Sequence, residues 1–260
     1  MHHVRAGRGA PPLVFVHGFA CSHADWQFQF DFFSKTNEVV ACDLRGHGAT
    51  PGRPHECSIE HYGGDVAALL ANLELSKSIL VGHSMGCRVV LEAARLDPAR
   101  VAGIVLVDGS RLGSGSPETA ERAMRGSIDA AGYATFAEAL FRQMFLAPSA
   151  QAEAIVQRAL RLPAEIGSVL LPRMARWDAA QVEAALGAVR SPLLVIQTTK
   201  MVPGSGRSPL AAGEITPWLE LVRSCVPQAQ IEIIPGLGHF PQLEAAERVN
   251  RLLLKFSQKP

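Results

Sequence analysis

The chain has 260 residues, of which 48% are hydrophobic, so it can bury a large core as one domain with an insertion. Its 25 basic and 24 acidic residues nearly balance, which argues against nucleic acid or a membrane surface as a partner. The first apolar run starts at Leu13 and ends at His17, which is too short for a secretory signal. The sequence also lacks a run of about 18 apolar residues that could span a membrane. We therefore expect a cytoplasmic protein.

Short apolar runs alternate with helical patterns over the first 108 residues. The runs predict buried strands, because they are continuous and end at turn residues: 13–17, 38–42, 78–82 and 101–108. Apolar residues at helical spacing predict helices over about 58–73 and 84–96. Strands separated by helices imply right-handed crossovers, so we predict an α/β fold with a mostly parallel, doubly wound sheet.

The pattern becomes helical after Asp108. Over 114–188, Ala, Leu, Met, Glu and Arg dominate, and we predict helices without a strand. Breaks in these helices are expected at Pro148, Pro163 and Pro172. This stretch is therefore interpreted as a helical insertion.

Strand patterns return after the insertion. Residues 192–197 and 230–235 predict two more strands, and an amphipathic pattern over about 245–256 predicts a final helix. The stretch 203–213 is rich in Gly, Ser and Pro and is expected to be a loop. The sheet is thus expected to continue on the far side of the insertion.

The strongest chemical motif is Gly82-His83-Ser84-Met85-Gly86, directly after a predicted strand and before a predicted helix. This is the setting of a G-x-S-x-G nucleophile elbow. A sharp turn from strand to helix brings neighbouring backbone close, so glycines on both sides avoid clashes while the serine is held at the tip. We expect Ser84 to be a nucleophile and the N–H of Met85 to stabilise an oxyanion.

Two histidines lie at predicted strand ends. His17 begins His17-Gly18-Phe19, and we interpret it as structural, holding a loop that projects the N–H of Phe19 toward Ser84 as a second oxyanion donor. His239 follows the last predicted strand in a glycine-containing loop. We expect His239 to be the base, because a serine hydroxyl needs an imidazole within hydrogen-bond reach to lose its proton.

The other histidines and the cysteines have simpler interpretations. His47 is expected to stabilise a tight turn and His83 to pack in the core. Four histidines are expected to face solvent: His2, His3, His55 and His61. The five cysteines have no C-x-x-C spacing, which favours reduced thiols over a disulfide framework or a zinc site. We expect neither a metal nor a cofactor.

Four motifs, in this order, resemble the α/β-hydrolase superfamily: His17-Gly18-Phe19, Asp43-Leu-Arg-Gly-His-Gly48, Gly82-His-Ser-Met-Gly86 and Gly238-His239-Phe-Pro241. The resemblance covers nearly the whole chain. It implies an α/β-hydrolase core at 1–112 and 191–260 and an inserted all-helical cap over the active site at 113–190. It also disfavours dehalogenases and epoxide hydrolases, since similar proteins in those branches carry Asp where this chain has Ser84.

Apolar residues of this implied cap are candidates for a roof over the site: Met124, Tyr133, Phe136, Leu140, Phe141, Met144, Phe145 and Trp177. A helical pair must bury its own apolar face, so we expect roughly two-thirds of them to pack inside the cap. The remainder favour a substrate with few charges.

The sequence offers two candidates for the acid partner of His239. In similar proteins the acid most often follows the strand equivalent to 192–197, but here no carboxylate occurs until Glu214. We predict Asp108 instead, because it ends a strand at the same sheet edge as Ser84 and agrees with the family's chain order. The alternative is Glu214 reaching back from its loop, with Asp108 capping a turn.

These residues predict a serine hydrolase that cleaves a small, largely apolar carboxylic ester or lactone through Ser84, His239 and Asp108. The resemblance leaves three alternatives open: hydrolysis of a C–C bond in a vinylogous diketone, cofactor-free oxygenation, and a ligand receptor on the same fold. Ester cleavage and C–C bond cleavage use the same three residues, so the sequence does not separate them.

Overall fold

A central β-sheet organises the computed structural model, which describes residues 1–202 and 206–258. Its strands, in chain order, are β1 (His3–Ala6), β2 (Leu13–Val16), β3 (Val39–Cys42), β4 (Ser78–His83), β5 (Val101–Val107), β6 (Leu193–Gln197), β7 (Thr199–Val202), β8 (Gly206–Pro209) and β9 (Gln230–Ile233). Seven of them form one sheet in the spatial order β1-β3-β2-β4-β5-β6-β9, while β7 and β8 form a separate antiparallel hairpin. Within the sheet only β1 is antiparallel to its neighbour, so the predicted mostly parallel sheet is confirmed.

The register of the central strands brings their carboxyl ends together. His83 pairs with Val107, and Val107 pairs with Ile196. The N–H of Ser84 donates to the carbonyl of Val107 at 3.0 Å, and the N–H of Asp108 donates to that of Ile196 at 2.8 Å. Ser84 and Asp108, each one residue past its strand, therefore lie at the same edge of the sheet.

Helices cover both faces of the sheet. They are α1 (Gln27–Phe33), α2 (Ile59–Asn72), α3 (Met85–Leu96), α4 (Pro117–Ala131), α5 (Tyr133–Arg142), α6 (Ala150–Ala159), α7 (Ala164–Gly187), α8 (Pro217–Cys225), α9 (Pro241–Glu244) and α10 (Ala246–Ser257). The four helices α4 to α7 stand between β5 and β6, and we call them the helical insertion (117–187). No strand interrupts this insertion, as the sequence predicts.

Alternation along the strands explains why both faces are covered. In β2, Val14 and Val16 pack into one buried cluster with α2, α3 and the helical insertion. Leu13 and Phe15 point to the opposite face, into a second buried cluster with α1 and α10. Because successive side chains of a strand point to opposite faces, a continuous apolar run needs helices on both.

Two strand predictions need correction. β1 was not expected, because its sequence His-Val-Arg-Ala lacks an apolar run, and it forms as an edge strand through backbone pairing with β3. The expected loop at 203–213 contains strand β8, which pairs with β7, so the prediction is wrong over Gly206–Pro209. Residues 203–205 of that stretch lie outside the described residues.

The predicted helix break at Pro172 is also wrong. Pro172 lies inside α7, which continues for 24 residues from Ala164 to Gly187. Proline removes one backbone hydrogen bond from a helix interior. Contacts of α7 with α3 and α4 compensate for this loss, since most helical stability in proteins comes from tertiary packing. The expected breaks at Pro148 and Pro163 do occur, between helices.

Two further observations concern the chain as a whole. Over the described residues, no helix combines the length and apolar character that crossing a membrane requires. All five cysteines are free thiols, and only Cys225 is not buried. The expectation of reduced cysteines agrees with this arrangement.

Candidate active site

Ser84 is held in a strained turn between β4 and α3. Its φ of 53° and ψ of −111° lie outside the regions that residues with side chains normally adopt. A Cβ added to Gly82 would lie 2.3 Å from the carbonyl oxygen of Gly86, and one added to Gly86 would lie 2.4 Å from that of Val16. The two glycines of the motif are therefore required by close backbone approach.

His239 connects Ser84 to Asp108. Its Nε2 lies 2.8 Å from the Ser84 hydroxyl oxygen, and its Nδ1 lies 2.6 Å from Oδ2 of Asp108. Because the carboxylate accepts, Nδ1 carries the proton, which leaves the Nε2 lone pair facing the serine hydroxyl. The three residues that the sequence singles out thus form one continuous chain of hydrogen bonds.

The backbone of His239 is fixed by two neighbours. Its N–H donates to the carbonyl oxygen of Met144 at 2.8 Å, and its carbonyl oxygen accepts from Nε2 of His83 at 2.7 Å. His83 lies next to Ser84 and is buried against Trp26 and Phe240. The expected packing role of His83 is confirmed, with the addition that it anchors the histidine loop.

Asp108 is buried and saturated with hydrogen bonds. Its Oδ1 accepts from the N–H groups of Thr198 and Thr199, both at 2.8 Å, and its Oδ2 accepts from the Thr199 hydroxyl at 2.5 Å. The backbone φ of Asp108 is 46°, a left-handed conformation that aspartate tolerates better than most residues. These donors orient the carboxylate toward His239.

Residues of the β7–β8 hairpin contact the Asp108 carboxylate. Thr199 begins β7, and Arg207, in β8, donates to its hydroxyl oxygen at 2.9 Å and to the Ser110 hydroxyl oxygen at 3.2 Å. Arg207 Nη1 also lies 3.6 Å from Oδ2 of Asp108, and the arginine side chain is 5% exposed. Sequence reasoning missed Arg207 because its partner lies 99 positions earlier (207 − 108).

Burial and charge set the ionisation of the pair. Burial alone would raise the pKa of Asp108, but its bond to His239 and the positive charges of His239 and Arg207 outweigh burial and lower that pKa to about 2. Burial lowers the pKa of His239 to about 4; the charge of Arg207 adds to this effect, and Asp108 opposes it. At neutral pH the site therefore holds a carboxylate beside a neutral imidazole.

Glu214, the alternative acid, lies elsewhere. Its carboxylate forms an ion pair with Lys200 and accepts from the N–H of Ala211 at 2.9 Å. The side chain is 27% exposed and forms no hydrogen bond or ion pair with His239 among the described residues. Of the two carboxylates that the sequence offered, the structure brings only Asp108 to His239.

The two candidate oxyanion donors flank Ser84. Met85 is the first residue of α3, where backbone N–H groups have no acceptor within the helix. Phe19 follows Gly18, and a Cβ added to Gly18 would lie only 3.2 Å from Cβ of Ser84. The loop that carries Phe19 therefore packs directly against the nucleophile elbow, as the sequence predicts.

His17 and His47 are buried in the loops below the site. His17 Nε2 accepts from the N–H of Leu44 at 3.0 Å, and its Nδ1 donates to the carbonyl of Gly18 at 2.7 Å. His47 Nδ1 donates to the carbonyl of Arg45 at 3.0 Å. Their expected structural roles are confirmed.

The four histidines expected at the surface are less uniform. His55 and His61 are exposed, as expected, and His3 is half-buried. His2 is exposed, but its Nδ1 bonds Oδ2 of Asp43 at 3.0 Å, a contact that the sequence does not predict. Its partner carboxylate also bonds His23.

The helical insertion reaches the site through the end of α5 and the segment after it. The Phe141 ring lies 6.3 Å from that of Phe19, and Phe145 stacks on Phe240 at 5.1 Å. All eight candidate roof residues pack in or against one hydrophobic cluster, which also contains core residues of the sheet. The contact with Phe19 singles out Phe141.

A buried ion pair also connects the helical insertion to α3, the helix that follows Ser84. Arg88, one turn after Ser84, donates to both carboxylate oxygens of Asp178 in α7, at 2.7 and 2.6 Å. It also donates to the carbonyl of Ser110 at 2.7 Å. Because the arginine is 3% exposed and the aspartate 0%, the pair fixes α7 relative to α3.

Comparison with known proteins identifies the family to which the chain belongs. Residues 13–252 match a family described as "Alpha/beta hydrolase family". The dihydrolipoyllysine-residue acetyltransferase component of the acetoin cleaving system from Pseudomonas putida is 29% identical over 253 residues, covering 97% of this chain and 65% of that protein. This chain therefore spans just under two thirds of that relative.

Two solved structures are similar over nearly the full chain. A thermophilic esterase from Thermogutta terrifontis, solved with malate bound, is 27% identical with a TM-score of 0.78, covering 98% of this chain and 92% of its own. A putative aryl esterase from Burkholderia cenocepacia is 25% identical with a TM-score of 0.76 and the same coverage of 98% and 92%.

Proposed function

The chain belongs to the alpha/beta hydrolase family, and from this premise we propose that it is a serine hydrolase that cleaves a small, largely apolar carboxylic ester or lactone. The observation that carries the proposal is the hydrogen-bond chain from Asp108 through His239 to Ser84, with distances of 2.6 and 2.8 Å. A neutral imidazole between a carboxylate and a serine hydroxyl is the arrangement that makes serine a nucleophile.

Acylation follows from this geometry. Ser84 Oγ attacks the ester carbonyl carbon while His239 Nε2 accepts the hydroxyl proton. The N–H groups of Phe19 and Met85 donate to the oxyanion that develops on the carbonyl oxygen. When the tetrahedral intermediate collapses, the C–O bond to the alcohol breaks and His239 returns its proton to the leaving oxygen. Asp108 stabilises the imidazolium between these two transfers.

Deacylation repeats the sequence with water. His239 takes a proton from a water molecule, which attacks the acyl carbon bound to Ser84 Oγ. The C–O bond to the serine then breaks, the carboxylic acid leaves, and His239 returns the proton to Ser84. With a lactone, the alcohol and acid belong to one molecule and leave together as a hydroxy acid.

The surroundings of the elbow support a small and mostly apolar substrate. Phe19, in the loop after β2, lies beside Phe141 of the helical insertion, and both side chains are buried. A cavity of about 530 Å³ begins at Ala20, the residue after Phe19, but it is lined on the insertion side by Arg158 and Arg161 as well as by Leu162 and Ile166. This volume suits a small molecule. The apolar character of the proposed substrate therefore rests on Phe19 and Phe141.

The proposal is tested by steady-state hydrolysis of p-nitrophenyl acetate and butyrate. We expect turnover by the unmodified chain and a loss on the order of 10⁴-fold or more in kcat for Ser84→Ala. Ser76→Ala, at an exposed serine of the same domain, is the matched control and should retain full activity. Near-normal turnover by a folded Ser84→Ala variant would refute the proposal, and stoichiometric acylation without turnover would favour a ligand receptor.

A further inference from the structure

Three residues from separate segments meet on the side of the sheet where β1 pairs with β3. Asp43 directly follows β3, His2 precedes β1, and His23 lies in a short helical turn before α1. Nδ1 of His2 is 3.0 Å from Oδ2 of Asp43, and Nδ1 of His23 is 2.9 Å from Oδ1. One nitrogen of each ring and the carboxylate all lie within 4.8 Å of one another.

The Asp43 carboxylate, at the centre of this cluster, forms no ion pair with a lysine or arginine among the described residues. Asp43 is fully buried, and within the part of the chain that the structure describes the two imidazoles are its only ion-pair contacts. Backbone N–H groups of Ala49 and His23 occupy one lone pair on each oxygen, at 2.9 and 2.8 Å. The remaining lone pairs face His2 and His23. A buried carboxylate in this position favours a cation beside it.

The spacing of the three groups fits a metal ion. Ligand atoms at about 2.1 Å from a tetrahedral ion are separated by about 3.4 Å. The two nitrogen–oxygen distances are 3.0 and 2.9 Å, and all the ligand atoms lie within 4.8 Å of one another. An ion that replaces the ring protons facing Asp43 therefore needs only small shifts of the His2 and His23 side chains. Both backbone donors to Asp43 stay in place.

The ligand types select the class of ion. Imidazole nitrogen together with carboxylate oxygen suits Zn²⁺ and similar transition-metal ions, whereas Ca²⁺ and Mg²⁺ prefer oxygen ligands. The His2 and His23 side chains are 39% and 29% exposed, so an ion reaches the site from solvent and water completes its coordination.

We propose that His2, His23 and Asp43 bind one divalent transition-metal ion per chain. The ion links the edge strand β1 to the turn at 23–26 and to the loop that follows β3. The sequence offers no regular spacing for such a site, because its ligands stand at positions 2, 23 and 43. The expectation of a protein without metal rested on cysteine spacing, which says nothing about this cluster. The site is independent of the hydrolytic function proposed above.

The test is isothermal titration of Zn²⁺ into the full chain prepared without a polyhistidine tag. We expect one ion per chain with micromolar affinity, weakened at least about tenfold by His2→Ala and, separately, by His23→Ala. His3→Ala is the matched control, because His3 is the next residue along and its Nδ1 bonds the carbonyl of Met1, so this variant should bind like the parent.

Thermal melting provides a second readout, since a ligand that binds only the folded state raises its Tm. Zn²⁺ should raise the Tm of the parent and of His3→Ala by the same amount and raise that of His2→Ala and His23→Ala clearly less at the same concentration. Absence of stoichiometric binding to the parent overturns the proposal. Equal binding by His2→Ala and His3→Ala also overturns it, because it would mean that the ion binds elsewhere.

Discussion

Arg207 Nη1 lies 3.6 Å from Oδ2 of Asp108, with both side chains buried. The arginine is in β8, so the hairpin after β6 places a cation beside this carboxylate. This positive charge stabilises the carboxylate and opposes protonation of His239, which burial already disfavours. We therefore expect Arg207 to act as a positioning residue, through the effect of its charge on Asp108 and His239.

The first prediction concerns the pH dependence of activity. His239 must be neutral to accept the serine proton, and its pKa is lowered to about 4. kcat/KM for p-nitrophenyl acetate should therefore stay on its plateau down to pH 5.5. An unperturbed imidazole with a pKa of about 6.5 would leave roughly a tenth of the activity at that pH. Initial rates between pH 5 and 8 separate the two.

Variants of Arg207 test the cause of that shift. Removing the charge in Arg207→Gln should move the acid limb of kcat/KM to higher pH, whereas Arg207→Lys should keep it near the parent's position. Arg251→Gln, at a side chain that is 69% exposed, serves as the control. A lower kcat with an unmoved limb in Arg207→Gln would mean that the arginine contributes structure alone.

The second prediction concerns stability in acid. Burial lowers the pKa of His17 to about 3 and that of His47 and His239 to about 4. An unfolded chain binds these protons near pH 6.5 while the folded chain does not, so stability falls as pH drops below 6.5. Each histidine contributes a slope of about 1.4 kcal/mol per pH unit down to its folded pKa.

Urea unfolding at pH 7.5, 6.5 and 5.5 measures this effect. The free energy of unfolding should change little between the first two values and drop clearly at the third. His61→Ala, at an exposed histidine, should leave the slope unchanged. Equal stability at pH 6.5 and 5.5 would contradict the burial of these histidines in neutral form.

The third prediction separates the two carboxylates. Asp108→Asn retains an acceptor for Thr198 and Thr199 but removes the charge that stabilises the His239 imidazolium, so kcat should fall by on the order of 10⁴. The Tm should fall as well, because Arg207 loses its buried partner. Glu214→Gln, on the surface, should cost little in kcat. Inactivation by Glu214→Gln with an active Asp108→Asn would reverse the assignment.

The fourth prediction concerns the helical insertion. Phe141 is buried beside Phe19, so Phe141→Ala should raise KM for the butyrate ester roughly three- to tenfold and change kcat on the acetate ester little. Phe136→Ala, in the same helix, is the control for packing inside the insertion. Loss of activity on both esters in a folded Phe141→Ala protein would mean that the insertion takes part in chemistry.

Local sequence patterns predict the parts of the site that depend on neighbours in the chain. The elbow around Ser84 is a five-residue motif because strand, turn and helix meet within it. His239 follows a strand pattern and precedes a helix, so its position at the sheet edge is also readable. Asp108 required one more step, the inference that carboxyl ends of parallel strands share an edge.

The unpredicted features depend on contacts between distant segments. Arg207 reaches Asp108 only because a short hairpin folds back under the site, and β7 and β8 lack an apolar run that would mark them as strands. The cluster around Asp43 joins three segments that no pattern relates. Pro172 breaks a local rule that tertiary packing of α7 overrides.

The central claim, that His239 activates Ser84 as a nucleophile, is tested most directly by mass spectrometry after reaction with a fluorophosphonate, a reagent that phosphonylates activated serines. We predict one adduct per chain on the peptide that contains Ser84. The adduct should be absent in Ser84→Ala and form much more slowly in His239→Ala, while Ser76→Ala labels like the parent. Labelling at another residue, or no adduct on Ser84 in a protein that hydrolyses esters, would contradict the account.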